Sequence, residues 1–220
     1  MFEDAIILAA GRGRRMMPLS KKTPKALAFF KGQTLISQVI KKLKKKIKNI
    51  YVTVGYKGTL VASHVFLKGV KAVFDTKNRG NAWWIYSTLL KNINKPILVL
   101  TCDNIIDLDF AYLRKQTKIF KNALCILVAV KPDPEFAGDY IFSNKNKIYK
   151  IRRKQKSNLY ASGIQILNPY LINKITKKTE DFQLIWKQLI KKNKLYHTNI
   201  YKKKWLAIDS IRHLKKYGKI

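Results

Sequence analysis

Carboxylates are scarce in this chain. Its 220 residues hold 12 Asp and Glu against 46 Lys and Arg, a formal charge of +34. Cysteine is scarcer still. Cys102 and Cys125 both stand in apolar, strand-like stretches, which predicts buried free thiols and suits a reducing cytoplasm. Long apolar runs are missing, since Ile97–Leu100 and Ala123–Val130 are too short to cross a bilayer. The acidic opening Met1-Phe2-Glu3-Asp4 leads straight into a strand pattern and does not read as a signal peptide. His64, His197 and His213 are far apart in different kinds of element, and each is expected to be a surface or core residue. No Ser-His-Asp pattern, paired Glu or GxxxxGK[ST] loop is present, which excludes the common hydrolase and P-loop classes.

The excess of lysine demands a decision about nucleic acid. The basic runs Lys41–Lys48, Lys145–Lys156, Lys174–Lys178, Lys187–Lys194 and Lys202–Lys204 are spread along the whole chain rather than gathered in one stripe. They read as solvated faces whose field draws in small anions, not as a specific nucleic-acid surface. Against that background, any Asp at the carboxyl end of a strand stands out as a candidate metal ligand.

What is present centres on Leu8–Leu27, LAAGRGRRMMPLSKKTPKAL. An apolar strand, Ala5 to Ala9, runs into Gly11-Arg12-Gly13-Arg14-Arg15, where glycines let backbone N–H groups approach a ligand closely. With Pro24-Lys25 closing the segment, donors and fixed positive charge describe a phosphate cradle. A dinucleotide site is disfavoured, because the third glycine is missing and Pro18 follows instead of a helix.

Further on, strand and helix patterns alternate. Helices are expected over Thr34–Lys46, Thr59–Leu67, Ala82–Leu90, Pro169–Ile175 and Asp181–Lys192. Strands are expected at Ile50–Val54, Lys71–Phe74, Pro96–Thr101 and Leu124–Val130, with shorter antiparallel ones at Asp139–Ser143, Ile148–Arg152 and Tyr160–Leu167. This pattern predicts one Rossmann-like three-layer α/β domain over residues 1–220, with a mainly parallel mixed sheet and a small antiparallel subregion. Ligands of such sheets bind outside the carboxyl ends of the strands. Three places meet that rule: the cradle, the turn Asn78–Ala82, and Cys102-Asp103-Asn104. Asp103 reads as a metal ligand or a turn residue, with Asp107 and Asp109 better placed for capping. Asp209, before Ser-Ile-Arg, reads equally as a metal contact or a helix N-cap. A phosphate cradle with one or two such carboxylates suits phosphoryl or nucleotidyl transfer, which needs positioning and charge neutralisation more than acid–base groups.

LAAGRGRRMMPLSKKTPKAL resembles the signature of the sugar-phosphate nucleotidyltransferases, roughly LAAGxGxRMxPLTxxxPKxL, with Ser20 for the usual Thr. Asn78-Arg79-Gly80-Asn81-Ala82 resembles a nucleotide-contacting turn of that family, and Leu98–Asp103 its strand ending in a metal-binding Asp. Tyr160-Ala161-Ser162-Gly163 is similar to its acceptor-side segment, and Trp205–Leu214 to its closing motif. The resemblance implies catalytic roles for Arg15 and Lys25, and Mg²⁺ on Asp103 and Asp209. It implies nucleotide contacts from Leu8, Ala10, Gly11, Gly13, Arg14, Arg15, Asn78, Gly80 and Asn81. It implies acceptor contacts from Lys154, Tyr160, Ser162 and Gly163. Arg153 stands where the family has Glu, and Ala207 where many members carry the second metal Asp.

The implied substrates are a nucleoside triphosphate and a phosphorylated small molecule, giving a nucleotide sugar and pyrophosphate. The nucleotide is expected to bind residues 1–122 and the acceptor 123–220. An Ile-Asp-Ser ending similar to the phosphocholine cytidylyltransferase branch keeps a non-sugar phosphate or phosphonate as the alternative acceptor. A nucleic-acid-binding protein is a further alternative. No membrane partner is expected, and self-association is left open.

Overall fold

The structure is a computed structural model that describes residues 2–136 and 138–218. It divides into two compact units, one holding residues 3–79, 100–107 and the chain from 204, the other residues 80–99 and 108–203.

The first unit is built on parallel strands. β1 (Asp4–Leu8), β4 (Asn49–Val54) and β5 (Ala72–Asp75) lie in the order β5-β4-β1, paired in register from Asp4 opposite Asn49 to Leu8 opposite Thr53. Asp4 fixes that register although it is buried: its Oδ1 accepts from Asn49 Nδ2 at 2.9 Å and from the Tyr51 hydroxyl at 3.3 Å. Burial, helped by the Asp4 charge, pushes the Tyr51 phenol up to about 12, so it stays a donor. Around the strands lie α1 (Leu19–Lys22), the short hairpin of β2 (Phe29–Phe30) and β3 (Gln33–Thr34), α2 (Leu35–Leu43) and α3 (Gly58–Phe66).

α2 carries the expected stripe. Leu35, Ile36, Val39, Ile40 and Leu43 are all buried, each worth roughly 1.5–3 kcal/mol of apolar transfer. Thr34 caps the helix by accepting from Ser37 N.

The second unit begins with α4 (Trp83–Ser87), shorter than the helix expected over Ala82–Leu90. The reason lies at Thr88. Its backbone is extended, and its hydroxyl donates to Trp84 O and accepts from Leu90 N, closing one helix and capping a 3₁₀ turn. β6 (Ile97–Thr101) crosses into the first unit at its last two residues, to be followed there by β7 (Asn104–Ile106). α5 (Phe110–Ile119) starts at Asp109, which accepts from Tyr112 N as an N-cap.

Next come β8 (Cys125–Val130), β9 (Tyr140–Asn144), β10 (Lys147–Arg152) and β11 (Tyr160–Leu167). α6 (Pro169–Ile175), α7 (Phe182–Lys191) and β12 (Leu195–His197) complete the unit. Here β11 runs antiparallel to β6, β8 and β9, as the shorter strand patterns predicted, while β12 pairs parallel with β8. Every residue of β8 is buried, which matches an apolar run covered on both faces. The chain returns to the first unit through β13 (Trp205–Ala207) and α8 (Ile211–Gly218). Both cysteines are buried free thiols. Among the described residues no helix is long and apolar enough to cross a membrane.

His197 is a core residue, as expected. Its Nδ1 lies 2.7 Å from Thr198 O and its Nε2 2.7 Å from Ser143 Oγ. A carbonyl only accepts, so Nδ1 carries the hydrogen and Nε2 takes the serine proton. Burial lowers its pKa from 6.5, against a smaller raising effect of the Thr198 carbonyl. The unfolded chain then binds a proton that the folded one refuses, so stability falls as pH drops below about 6.5. His64, also lowered by burial, adds to the same slope. Urea unfolding followed from about pH 7 to about pH 5 should show this decline. His197→Gln should be about 1–3 kcal/mol less stable at neutral pH yet lose part of the slope. An unchanged slope would refute the assignment.

Candidate functional site

The loop after β1 is shaped by Gly13. It sits in the left-handed region at φ 60°, and a Cβ there would lie 2.8 Å from the Lys25 Cβ. Any other residue would be strained in its backbone and would displace Lys25. The space above Gly11 is open, with no atom within 4 Å of a built Cβ. Met16, one turn on, is fully buried with Ala28, Phe30, Leu35, Ile105 and Ile208. That cluster anchors the cradle to the core, while Arg14 and Arg15 stay at its surface.

Asp103 follows β6 in the same unit. Cys102 N donates to Leu8 O at 3.1 Å, so the end of β6 is tied to the end of β1. The Asp103 carboxylate accepts from the Lys25 ammonium through Oδ2 and from the Thr101 hydroxyl through Oδ1. Behind it runs a donor chain. Trp205 Nε1 donates to Asn104 Oδ1 at 3.0 Å, and Asn104 Nδ2 donates to Thr101 Oγ1 at 2.8 Å. Burial by itself would raise the Asp103 carboxyl. The charge of Lys25, with hydrogen bonds from Lys25, Thr101 and its own backbone N–H, outweighs burial and holds the group below its usual range. The adjacent Cys102 thiol is pushed up to about 12 by burial first and the Asp103 charge second, so it stays protonated.

The returning strand β13 brings the last acid. β13 runs antiparallel to β7 with Ala207 opposite Asn104, and Ile208 N donates to Asp103 O at 3.0 Å. Asp209 is therefore two residues from the strand position that pairs beside Asp103. Both its oxygens are engaged: Oδ2 meets Arg15 Nη1 at 2.7 Å, and Oδ1 meets His213 Nδ1 at 3.0 Å. His213 Nδ1 also faces Ala207 O at 3.1 Å, so it carries a hydrogen shared between two acceptors. The helix cap is Ser210, whose Oγ accepts from His213 N, and the equal choice open for Asp209 falls away from capping. Nothing in the composition singled out His213. The Asp209–His213 spacing of one helical turn was the signal available.

Arg15, Lys25, Asp103 and Asp209 are thus joined in one unit through two ion pairs and one backbone hydrogen bond. Leu8 and Ala10 contribute backbone nearby, Ala10 O accepting from Tyr56 N. Asn78, with φ 65°, forms a tight left-handed turn with Lys77 in the same unit.

The other expected site residues belong to the second unit. Gly80 N donates to Glu180 Oε2 at 3.2 Å, and a Cβ on Gly80 would collide with the Glu180 backbone. The Asn81 side chain is committed to structure, its Oδ1 accepting from Phe182 N at 3.1 Å. Gly80 and Asn81 line a cavity of about 650 Å³ with Asp139, Arg153, Glu180 and Trp186. Arg153, in the place of the usual Glu, pairs through Nε with Asp139 Oδ1 at 3.1 Å. Tyr160 is buried edge-to-face against Tyr140, and the Ser162 hydroxyl accepts from Ile164 N. Gly163, at φ 83°, sits in the bulge where β11 slips against β8. Lys154 is exposed.

The chain is similar to several known proteins. The bifunctional protein GlmU of Methanococcus aeolicus is 29% identical over 168 residues, covering 73% of this chain and 39% of the relative. The chain thus spans well under half the length of that relative. Choline-phosphate cytidylyltransferase of Streptococcus pneumoniae is 28% identical over 236 residues, covering 98% of this chain and 97% of the relative. The inositol-1-phosphate CTP transferase of T. maritima has the same Rossmann-like fold, with a TM-score of 0.75 at 20% identity over 96% of this chain and 91% of that one. The sequence also matches the nucleotidyl transferase family itself. Because that match runs from residue 4 to residue 214, through both units, the chain belongs to the nucleotidyl transferase family.

Proposed function

We propose that this enzyme joins a nucleoside triphosphate to a phosphorylated small molecule, a sugar 1-phosphate in the first reading, releasing pyrophosphate. The observation that carries this is the set of two ion pairs, Lys25–Asp103 and Arg15–Asp209, at the mouth of a glycine-bent loop. An oxygen of the acceptor phosphate attacks the α-phosphorus in line. The new P–O bond forms as the bond to the β-phosphate oxygen breaks, and pyrophosphate departs. That oxygen is already anionic, so no general base is required. Lys25 and Arg15 hold the phosphate chain and stabilise charge that builds on the leaving pyrophosphate. Backbone at Ala10 and Gly11 accommodates the nucleotide where space is open.

Magnesium fits the donors present. Asp103 is held ionised, Asp209 is a second carboxylate, and hard divalent cations take oxygen ligands. Among the described residues no three His, Cys, Asp or Glu gather to hold a metal alone. Phosphate oxygens would complete the coordination, as is usual for magnesium. When bound, it would offset phosphate charge and orient the triphosphate. In the second unit, Lys154, Tyr160, Ser162 and Gly163 are the acceptor-side residues in this reading.

A second reading, cytidylyl transfer to a non-sugar phosphate such as phosphocholine, is favoured by one specific observation. The choline-phosphate cytidylyltransferase of Streptococcus pneumoniae matches along 97% of its length, against 39% for the GlmU relative.

The transfer chemistry is tested by pyrophosphate release. Asp103→Asn and Lys25→Met should each lower kcat/KM by about 10²–10³-fold, the scale of losing one transition-state charge contact, with circular dichroism unchanged. Turnover that survives both substitutions would remove this assignment. The acceptor is tested by a panel of CTP, UTP, GTP, ATP and dTTP against sugar 1-phosphates and phosphocholine. The first reading expects the highest kcat/KM with a sugar 1-phosphate. Preference for CTP with phosphocholine would replace it by the second.

A further inference from the structure

The basic runs are spread along the sequence, but the fold gathers members of three of them on one groove. Between β10 and α7, in the second unit, lies a cavity of about 730 Å³. Lys150 and Arg152 line it from β10, Lys178 from the segment before α7, and Lys187 and Lys191 from α7 itself. Among the described residues that line it there is no acid. The nearby acids are committed elsewhere. Asp139 Oδ1 accepts from Arg153 Nε and Gln183 Nε2, both at 3.1 Å, Glu180 Oε2 from Gly80 N, and Asp181 Oδ1 from Gln183 N as the cap of α7.

This arrangement works against the fold. Lys187 and Lys191 stand one helical turn apart, a spacing at which like charges weaken a helix. Neither they nor Lys178 has an acidic partner among the described residues. Cations collected around a groove without counter-charge repel one another, and a polyanion lying in it relieves that repulsion.

Charge alone does not choose the polyanion, but the rings beside it do. Tyr149, on the same groove, is 59% exposed. Trp186 also lines it, held by its Nε1 donating to Gln165 Oε1 at 3.2 Å. An exposed phenol and an anchored indole beside a row of cations offer stacking faces for bases next to contacts for phosphates. A duplex keeps its bases stacked on each other and presents none to such rings.

We propose that the groove between β10 and α7 binds single-stranded nucleic acid, with phosphates on the lysines and Arg152 and bases against Tyr149 and Trp186. The groove uses none of the residues assigned to the transfer reaction, so either assignment can fail without the other.

The test is fluorescence anisotropy of the whole chain with a labelled oligothymidylate of about 12 nucleotides, from about 0.05 to about 0.3 M salt. With these cations on the strand, log Kd should rise against log salt with a slope of about 3. Lys187→Ser combined with Lys191→Ser should weaken binding about tenfold or more and lower that slope by about 1. Lys45→Ser combined with Lys46→Ser removes equal charge from an exposed run in the first unit and should change affinity less than about twofold. Tyr149→Ala should weaken binding about five- to tenfold with the slope kept, because stacking displaces no counterion. Lys150→Ser combined with Arg152→Ser, on the opposite wall, should act as the α7 pair does and serves if that pair folds poorly.

The inference fails if the Lys45 and Lys46 variant loses as much affinity as the α7 pair, because net charge then accounts for the binding. It also fails if Tyr149→Ala binds as tightly as the native protein. Equal or better competition by inorganic polyphosphate, which has no bases, or by polyglutamate would overturn it as well.

Discussion

The structure depends on keeping charge paired at one edge of an overwhelmingly basic chain. With only 12 acids against 46 basic residues, a carboxylate is a rare object here, and two of them meet in the same place. Asp103 leaves the end of β6 and Asp209 the end of β13, and each is matched to a cation from the segment after β1. The pairing solves a folding problem before any substrate arrives. Two enclosed carboxylates would repel each other and cost several kcal/mol of desolvation if left bare, and Lys25 would suffer likewise.

Behind the charges, the scaffold is stiff for identifiable reasons. The donor chain from Trp205 through Asn104 and Thr101 fixes one oxygen of Asp103, while Ile208 N holds its backbone carbonyl. Beneath the loop, Met16 is locked into a cluster that also contains Ile105 and Ile208, neighbours in sequence of the strands that carry the acids. The apolar cluster and the polar chain therefore bind the same three segments together from two sides. Movement of the cradle relative to Asp103 would break both, which is how a preorganised site is maintained. The thiol of Cys102, kept protonated, adds no charge to this balance.

Much of this was legible in residue order, and the exceptions share a cause. Apolar runs located β1, β4, β6 and β8, and the period of α2 located its buried face. Helix ends were less legible, because a single hydroxyl decided them: Thr88 stopped α4 early, and Ser210 rather than Asp209 capped α8. Asn81, which the resemblance marked as a nucleotide contact, also accepts a hydrogen bond from the start of α7, a segment 101 residues away in the chain. His213 passed as an ordinary surface or core histidine because its significance depends on which carboxylate it faces.

The sequence by itself determined the family and the local frame of the candidate site: a glycine turn after a buried strand, a lysine and arginines at set spacing, and a lone aspartate at a strand end. These are short-range matters of backbone freedom, hydrophobic period and charge. Only the tertiary structure decided that Lys25 pairs with Asp103 and Arg15 with Asp209, and that His213 takes the remaining oxygen. The physical reason is that an ion pair acts across space. Lys25 and Asp103 are 78 positions apart, and no local propensity links them until β6 and β13 are laid beside the loop.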